Sequence, residues 1–405
     1  MPVHLFDIRS LARRRLGGAL MINPFEFRTV SALQVEWGGA GRLGTMLCGR
    51  FAARNVLLVT DRGLVRAGLV APIVEGLDQA GFRVAVFDAV VADPPEQVVT
   101  DCVAAARQAG VDIVVGLGGG SSLDIAKLVA VLLVSEQPLS DIYGIDKVRG
   151  PRLPLVLVPT TAGTGSEVTN ISIITTGETT KMGVVAPQLY ADFVLLDAEL
   201  TLGLPPLHTA ATGIDAMVHA IEAYTSRVRK NPLSDALARE ALRLLGAHLV
   251  PACRNGADRQ ARESMLLGAM LAGQAFANAP VAAVHALAYP LGGHYHVPHG
   301  LSNALMLGPV LRFNAREAAP LYAELAAVLG VAGEGDTSAR ANAFVAHMER
   351  LMNDSGAPRR LRDVGVVEDM LPVLARDAMK QTRLLVNNPV ALGEEEALAL
   401  YREAF

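Results

Sequence analysis

Cysteine is scarce in this chain of 405 residues, and no long stretch carries charge of one sign. The three cysteines, Cys48, Cys102 and Cys253, form no CxxC pair and no regular framework, which favours a reducing cytosol over a secreted setting. The net charge of −4 provides no basic surface of the kind that binds nucleic acid. No apolar run reaches the roughly 20 residues that a membrane span needs. We therefore expect a cytoplasmic globular protein with neither a nucleic acid nor a membrane as partner.

The length leaves room for two or three domains, each with its own core. The first residues are rich in arginine, with LARRRLGGAL at positions 11–20, as in a transit peptide. However, Asp7 lies among them and no cleavage-like site follows. We favour a disordered extension at residues 1–21, ahead of a second candidate start at Met21.

Strand and helix patterns alternate through the first half of the chain. Short apolar runs predict strands at 56–60, 84–87, 113–117, 153–158 and 193–196, with helical patterns between most of them. Such alternation indicates a mostly parallel sheet covered by helices. Past a double proline the strand signal fades, and helix follows helix to the C-terminus. We therefore predict an α/β domain at residues 22–206 and an all-helical domain at residues 207–405.

A glycine loop follows the strand predicted at 113–117. It consists of Gly118-Gly119-Gly120-Ser121-Ser122, and a helical pattern resumes at Leu123. A glycine turn before a helix presents free N–H groups and the positive end of the helix dipole, where a pyrophosphate binds. The motif is not GxGxxG, so a tight turn without a ligand stays open as an alternative. Asp61, at the end of an earlier strand, can accept hydrogen bonds from a ribose and favours NAD over NADP, although capping the next helix is an equally natural role.

A second loop, at residues 159–167, is rich in hydroxyl groups. It reads PTTAGTGSE and follows the strand predicted at 153–158. Its threonines Thr160, Thr161 and Thr164 provide enough donors to line a cofactor site. Serine and threonine also stabilise turns without any ligand.

Histidines cluster in the second half of the chain, where six of the nine lie between residues 213 and 300. Asp215 and His219 are four apart in a helical pattern and therefore share a face. One carboxylate with up to three imidazoles suits a divalent transition metal such as Fe(II) or Zn(II). A histidine taken alone has many other uses. The prediction of a metal site therefore depends on the cluster.

The other two candidate ligands, His285 and His299, bracket the sequence HALAYPLGGHYHVPH. Residues 286–289 are compatible with a helix, and Pro290 and the following glycines are expected to break it. His299 is expected on a Pro-His-Gly turn.

With these motifs the chain resembles the iron-containing, or group III, alcohol dehydrogenases. The shared motifs are GGGSSLDIAK at 118–127, PTTAGTGSEVT at 159–169, GIDAMVHAIEAY at 213–224 and a VH…PHG pair, and the resemblance runs from about Phe25 to the C-terminus. It implies a dehydroquinate synthase-like architecture, in which a Rossmann-like dinucleotide-binding domain precedes an all-α metal-binding domain. It also implies hydride transfer between NAD(H) and a small alcohol or aldehyde, with Fe(II), or Zn(II) as in some relatives, and a homodimer or larger homo-oligomer.

The resemblance assigns roles position by position. The metal ligands, catalytic through the metal, are Asp215, His219, His285 and His299. The positions that match dinucleotide contacts are Asp61, Asp93, Gly119, Gly120, Ser121, Asp124, Thr160, Thr161, Thr164 and Lys181. Asp93 stands where an asparagine is common, and Phe276 matches a wall of the substrate pocket.

Tyr289 departs from the family pattern, because many members carry a further histidine there. The proton-exit route therefore stays open between Tyr289, His294 and His296, and a packed tyrosine with no role is an equal alternative. The expected chemistry is otherwise complete: a metal acts as a Lewis acid on the substrate oxygen while hydride passes to the nicotinamide.

Several substrate classes stay open: a simple alcohol, a hydroxy acid such as 4-hydroxybutyrate, a diol such as glycerol or propanediol, and maleylacetate. The basic residues nearest the ligands in sequence, Arg227, Arg229 and Lys230, resemble a solvated helix end, which favours a neutral alcohol. Retention of all four ligands argues against a metal-free maleylacetate reductase and against a protein that only binds a cofactor. The PHG motif and the pair Asp215 and His219 argue against a lyase resembling dehydroquinate synthase.

Overall fold

A computed structural model describes residues 24–177 and 180–405, so the extension predicted at residues 1–21 lies outside it. The strands in this part of the chain are β1 Leu33–Val35, β2 Asn55–Asp61, β3 Arg83–Val90, β4 Ile113–Gly118, β5 Gly144–Ile145, β6 Leu155–Pro159, β7 Ile171–Thr176, β8 Thr180–Val185 and β9 Phe193–Leu196. The α-helices are α1 Leu43–Leu47, α2 Arg62–Arg66, α3 Ala71–Gln79, α4 Glu96–Ala109, α5 Gly120–Leu132, α6 Pro206–Thr225, α7 Pro232–Arg254, α8 Arg259–Asn278, α9 Ala283–Tyr295, α10 His299–Val328, α11 Thr337–Asp354, α12 Leu371–Ala378, α13 Thr382–Leu385 and α14 Glu394–Ala404.

Six strands form one parallel sheet in the order β1-β9-β6-β4-β2-β3. The central strands β4 and β6 are buried along their whole length because side chains on both faces pack under helices. The predicted parallel sheet is confirmed. In the register of these two strands Gly118 is opposite Pro159, so the glycine loop and the hydroxyl-rich loop leave the sheet side by side.

A smaller sheet of order β5-β8-β7 stands beside the first. Strands β7 and β8 form an antiparallel hairpin in which Thr175 is opposite Lys181. An isolated bridge joins Pro95 to Thr175, and Thr175 Oγ1 donates a hydrogen bond to the carbonyl of Asp93. The loop that carries Asp93 is thereby fixed next to Lys181.

The second half of the described chain is helical, as predicted, and α6 is its centre. Almost all of α6 from Thr209 onward is buried, and it packs against α7, α8 and α10. The packing is close at Gly213, where a Cβ atom would lie 2.5 Å from Leu249 and 2.6 Å from Met265. The helix starts at Pro206, beside the predicted domain boundary.

Two local predictions about the 285–299 region are wrong. Pro290 does not end its helix, because α9 continues to Tyr295. One turn before the proline, the carbonyl of Leu287 accepts a hydrogen bond from the hydroxyl of Tyr401 at 2.6 Å, so tertiary contacts support this stretch of helix. His299 does not lie on an isolated turn: it is the first residue of the 30-residue helix α10, directly after Pro298.

No single helix in the two described ranges is both long and apolar enough to cross a membrane. Helices α8 and α9 pass such a test only as a pair, which is bent by 105°. Both supply residues such as Met265 and Leu287 to the buried core.

Candidate active site

Three helices bring the four predicted ligands together. Asp215 and His219 lie one turn apart on α6, His285 lies in the first turn of α9, and His299 starts α10. The Nε2 atoms of His219, His285 and His299 lie 3.9, 3.8 and 3.7 Å from Oδ1 of Asp215. Two ligands of one tetrahedral ion are about 3.4 Å apart when each is about 2.1 Å from the metal. The spacing therefore fits a single divalent ion.

The protonation states also suit a metal. Burial lowers the pKa of His219 to about 3 and also lowers the pKa of His299, so these imidazoles are neutral at pH 7. Burial raises the pKa of Asp215, but the three imidazoles and the amide of Asn303 outweigh it, and the net pKa lies below the usual range. Neutral imidazoles and an ionised carboxylate are the forms that bind a metal ion.

Asn303 is a member of this cluster that the sequence did not single out. Its amide nitrogen lies 2.5 Å from Oδ1 of Asp215, 3.2 Å from Nε2 of His285 and 3.3 Å from Nε2 of His299. One donor group thus faces three acceptors, while no described residue donates a hydrogen bond to its own buried Oδ1. The cluster is rich in lone pairs and poor in positive charge, as a cation site should be. Spacing in the sequence could have indicated this residue. Asn303 lies four residues after His299 on one helix, so the two side chains share a face.

Glu222 is a second residue of the site that the sequence did not single out. Its buried carboxylate accepts hydrogen bonds from the backbone N–H groups of Ala282 at 2.8 Å and Val284 at 2.7 Å, and it lies 2.7 Å from Nδ1 of His285. When Nδ1 of this histidine donates to the carboxylate, the lone pair on Nε2 is free to bind a metal ion. The signal was again spacing, since Glu222 follows His219 by three residues within GIDAMVHAIEAY.

Aromatic side chains enclose the cluster. Phe276 stacks on His219 with ring centroids 4.3 Å apart and lines the adjoining cavity, where the substrate wall was expected. Tyr289 also lines the cavity, with its ring centroid 5.9 Å from that of His299. Burial raises the pKa of Tyr289, and the charge of Arg383 acts in the opposite direction.

The other two candidates for a proton route lie elsewhere. His294 places Nε2 2.7 Å from a carboxylate oxygen of Asp377, and His296 is exposed. Neither lines the cavity.

The cavity has a volume of about 170 Å³ and lies between the glycine loop and the helical domain. Six of the predicted dinucleotide contacts line it: Asp93, Gly120, Ser121, Asp124, Thr164 and Lys181. The other four, Asp61, Gly119, Thr160 and Thr161, lie outside this lining. Asp61 caps α2, with Oδ1 accepting hydrogen bonds from the N–H groups of Gly63 and Leu64 at 2.7 and 3.1 Å.

The glycine loop presents open donors at the start of α5. Gly119 is the residue before the helix, and no side chain in residues 24–177 or 180–405 caps the N–H groups of the first turn. A Cβ atom on Gly120 would lie 2.8 Å from the methyl group of Thr164, so the two loops leave no room for a side chain there. Such a helix start suits an anionic group.

Asp124 and Lys127 hold the two loops together. Asp124 accepts hydrogen bonds from the hydroxyl of Ser166 at 2.5 Å and the N–H of Ile173 at 2.8 Å. Lys127 is completely buried and donates to Ser166 Oγ at 2.7 Å, to Thr169 Oγ1 at 3.1 Å and to the carbonyl of Ile171 at 2.7 Å. Lys127 is therefore a structural residue of GGGSSLDIAK, whose role could not be read from the motif alone.

Comparison with known proteins shows the family of the chain. The family model described as iron-containing alcohol dehydrogenase matches residues 34–198, and the model described as Fe-containing alcohol dehydrogenase family, C-terminal, matches residues 209–405. Long-chain-alcohol dehydrogenase 1 of Geobacillus thermodenitrificans is 43% identical over 92% of this chain and 94% of its own length.

Solved structures share the whole architecture. The crystal structure of a 1,3-propanediol oxidoreductase has a TM-score of 0.90 at 37% identity and covers 95% of this chain and 100% of its own. Sulfoacetaldehyde reductase from Bifidobacterium kashiwanohense, solved in complex with NAD+, has a TM-score of 0.85 at 26% identity and covers 94% of this chain and 99% of its own. On these grounds the chain belongs to the iron-containing alcohol dehydrogenase family.

Proposed function

We propose that this protein is an NAD-dependent, metal-activated dehydrogenase that interconverts a small alcohol and its aldehyde. The observation that carries the proposal is the meeting of Asp215, His219, His285 and His299 beside a cavity that they share with the glycine loop. The names of the relatives, which include alcohol and propanediol dehydrogenases, support a small alcohol or aldehyde as substrate.

The four ligands would hold Fe(II), in keeping with the family, and the same ligand types accept Zn(II). When bound there, the ion supplies Lewis-acid polarisation of an alcohol or carbonyl oxygen. The side chains that support the ligands are Glu222, which orients His285, and Asn303, which donates to Asp215. Both are buried, so the ligand geometry is fixed before any substrate arrives.

The α/β side of the cavity would bind the dinucleotide. The free N–H groups at Gly120 and Ser121 suit its diphosphate, and the hydroxyls of Thr160, Thr161 and Thr164 add donors nearby. Because the cap of α2 uses Oδ1 of Asp61, Oδ2 is left to accept hydrogen bonds from ribose hydroxyls and to repel a 2′-phosphate.

The helical side would bind the substrate and move its proton. Phe276 covers one face of His219 and adds an apolar surface to the cavity wall beside the ligand cluster. Tyr289 holds a phenolic proton on the cavity wall beside His299, which makes it the candidate for relaying the alcohol proton. A homodimer or larger homo-oligomer, a cytoplasmic location and a domain boundary between residues 206 and 207 belong to the same proposal and rest on the family resemblance.

The experiment is metal analysis joined to an activity screen. Protein purified anaerobically without chelator, then loaded with Fe(II) or Zn(II), is assayed for NADH absorbance with alcohols and hydroxy acids, using NAD and NADP in parallel. We expect substoichiometric metal and low turnover in His299→Ala. His248→Ala is the matched control, because this histidine on α7 bonds only to the carbonyl of Leu244 in the described chain. Full metal content with full turnover in His299→Ala would overturn the proposal.

A further inference from the structure

Arg383 is a cationic side chain on the cavity wall, far in sequence from the four ligands. It lies on the short helix α13, which packs against α9, and it lines the cavity together with Tyr289. One of its terminal nitrogens is 3.8 Å from the position that a Cβ atom on Gly183 would occupy. The side chain therefore reaches from the helical domain across to strand β8.

The other ionic groups around the cavity have partners. Lys181 lies 2.6 Å from Oδ1 of Asp93, and Asp124 lies 3.5 Å from Nζ of the buried Lys127. Asp215 belongs to the ligand cluster. Arg383 takes part in none of the ion pairs found within residues 24–177 and 180–405, where an ion pair means a separation of at most 4.0 Å. Its guanidinium group thus has no carboxylate partner among the described residues, and its polar neighbour on the cavity wall is the hydroxyl of Tyr289.

A guanidinium group presents paired N–H donors that match the oxygens of a carboxylate or sulfonate. The helical wall of the same cavity is mainly apolar, with Phe276, Val281, Ala288 and Val297. This wall suits a short carbon chain that joins a reacting carbon at the cluster to an anionic group at the arginine. Lys181 is unsuited to that task, because Asp93 already neutralises it.

We propose, resting on the dehydrogenase function above, that Arg383 selects alcohols or aldehydes that carry a carboxylate or sulfonate away from the reacting carbon. This reverses the preference for a neutral alcohol drawn from the sequence, where Arg227, Arg229 and Lys230 were the nearest cations. Arg227 and Arg229 are exposed, and neither they nor Lys230 line the cavity.

The test compares matched aldehydes of equal chain length that end in a methyl group, a carboxylate or a sulfonate, with the metal-loaded enzyme and NADH. The variants are Arg383→Gln, Arg383→Lys and, as the control, Arg229→Gln, which removes an exposed arginine outside the cavity. We expect wild type to favour the charged aldehydes. Arg383→Gln should lower kcat/KM about 10- to 100-fold more for them than for the neutral aldehydes, chiefly through KM, because any effect through Tyr289 is shared by all the aldehydes.

Arg383→Lys should restore part of the preference, because it keeps the charge and loses the paired geometry.

A second readout does not depend on turnover. Saturating short alkanoates or alkanesulfonates should raise the melting temperature of wild type and of Arg229→Gln, and raise that of Arg383→Gln by less. A separate measurement of KM for NADH tests whether the arginine instead binds the coenzyme.

Three outcomes would overturn the inference: equal losses on charged and neutral aldehydes, a rise in KM for NADH with every aldehyde, or thermal shifts that are the same in wild type and Arg383→Gln. They differ from failure of the proposed function, in which wild type would turn over no alcohol or aldehyde with either metal.

Discussion

The carboxylate of Glu222 lies 2.7 Å from Nδ1 of His285 and also accepts hydrogen bonds from two backbone N–H groups where α9 begins. One buried side chain on α6 therefore fixes both the position of α9 and the ring orientation of the ligand that α9 carries. Since α6 itself carries Asp215 and His219, three of the four candidate ligands are aligned from a single helix.

We predict that Glu222→Gln weakens metal binding by about 10- to 100-fold, as is typical when the partner of a ligating histidine is removed. The carboxylate accepts hydrogen bonds from three donors, whereas the amide of glutamine has only one oxygen to offer them. Metal affinity is measured by competition with a chromogenic chelator, and the fold is monitored by circular dichroism.

Glu317→Gln is the control, because this glutamate is exposed on α10, and its metal affinity should match that of wild type. An unchanged affinity in Glu222→Gln would mean that the carboxylate only braces the helix.

Replacing Asp61 by asparagine separates its two candidate roles, which are capping helix α2 and selecting the coenzyme. In Asp61→Asn, Oδ1 can still accept hydrogen bonds from the N–H groups of Gly63 and Leu64, while the negative charge is gone. We expect kcat/KM with NADP to rise about tenfold relative to NAD, because the carboxylate no longer repels the 2′-phosphate. Asp78→Asn, which changes an exposed aspartate on α3, should leave the ratio unchanged. An unaltered NADP to NAD ratio in Asp61→Asn would leave Asp61 as a helix cap alone.

The parallel sheet and the pairing of Asp215 with His219 on one helix face could be predicted because their signals are local. A buried strand followed by Gly118-Gly119-Gly120 indicates both a strand end and a helix start, and the spacing of Asp215 and His219 places them on one helix face. The prediction of His285 and His299 as ligands came from clustering, and the structure brings both to the same point as the first pair.

Spacing places some of the supporting residues near the ligands but does not show what they contact, because their roles arise from packing between distant segments. Glu222 reaches the start of α9 about 60 residues later, and Arg383 enters the cavity from a short helix near the C-terminus. The helix break predicted at Pro290 was wrong for the same reason: local propensity favours a break, whereas Tyr401 supports the helix from a segment far along the chain.

Glu167, in the hydroxyl-rich loop, should make the stability of the protein depend on pH. It is 2% exposed, and burial raises its pKa from 4.5 to about 7, with Lys127 offsetting part of the effect. Because the folded state binds this proton more tightly than the unfolded state, the folded protein loses stability as the pH rises from about 4.5 through about 7. The loss is at most about 3 kcal/mol, from about 1.4 kcal/mol per pKa unit.

Glu167→Gln removes this titration, since an amide stays neutral at every pH. We expect the melting temperature of the variant, relative to wild type, to rise between about pH 5 and about pH 8 and to level off above that range. Differential scanning calorimetry across the pH series measures this difference, with the exposed Glu317→Gln giving a flat line. If the difference in melting temperature between Glu167→Gln and wild type is constant with pH, Glu167 stays ionised in the folded protein. Lys127 is then its compensating charge.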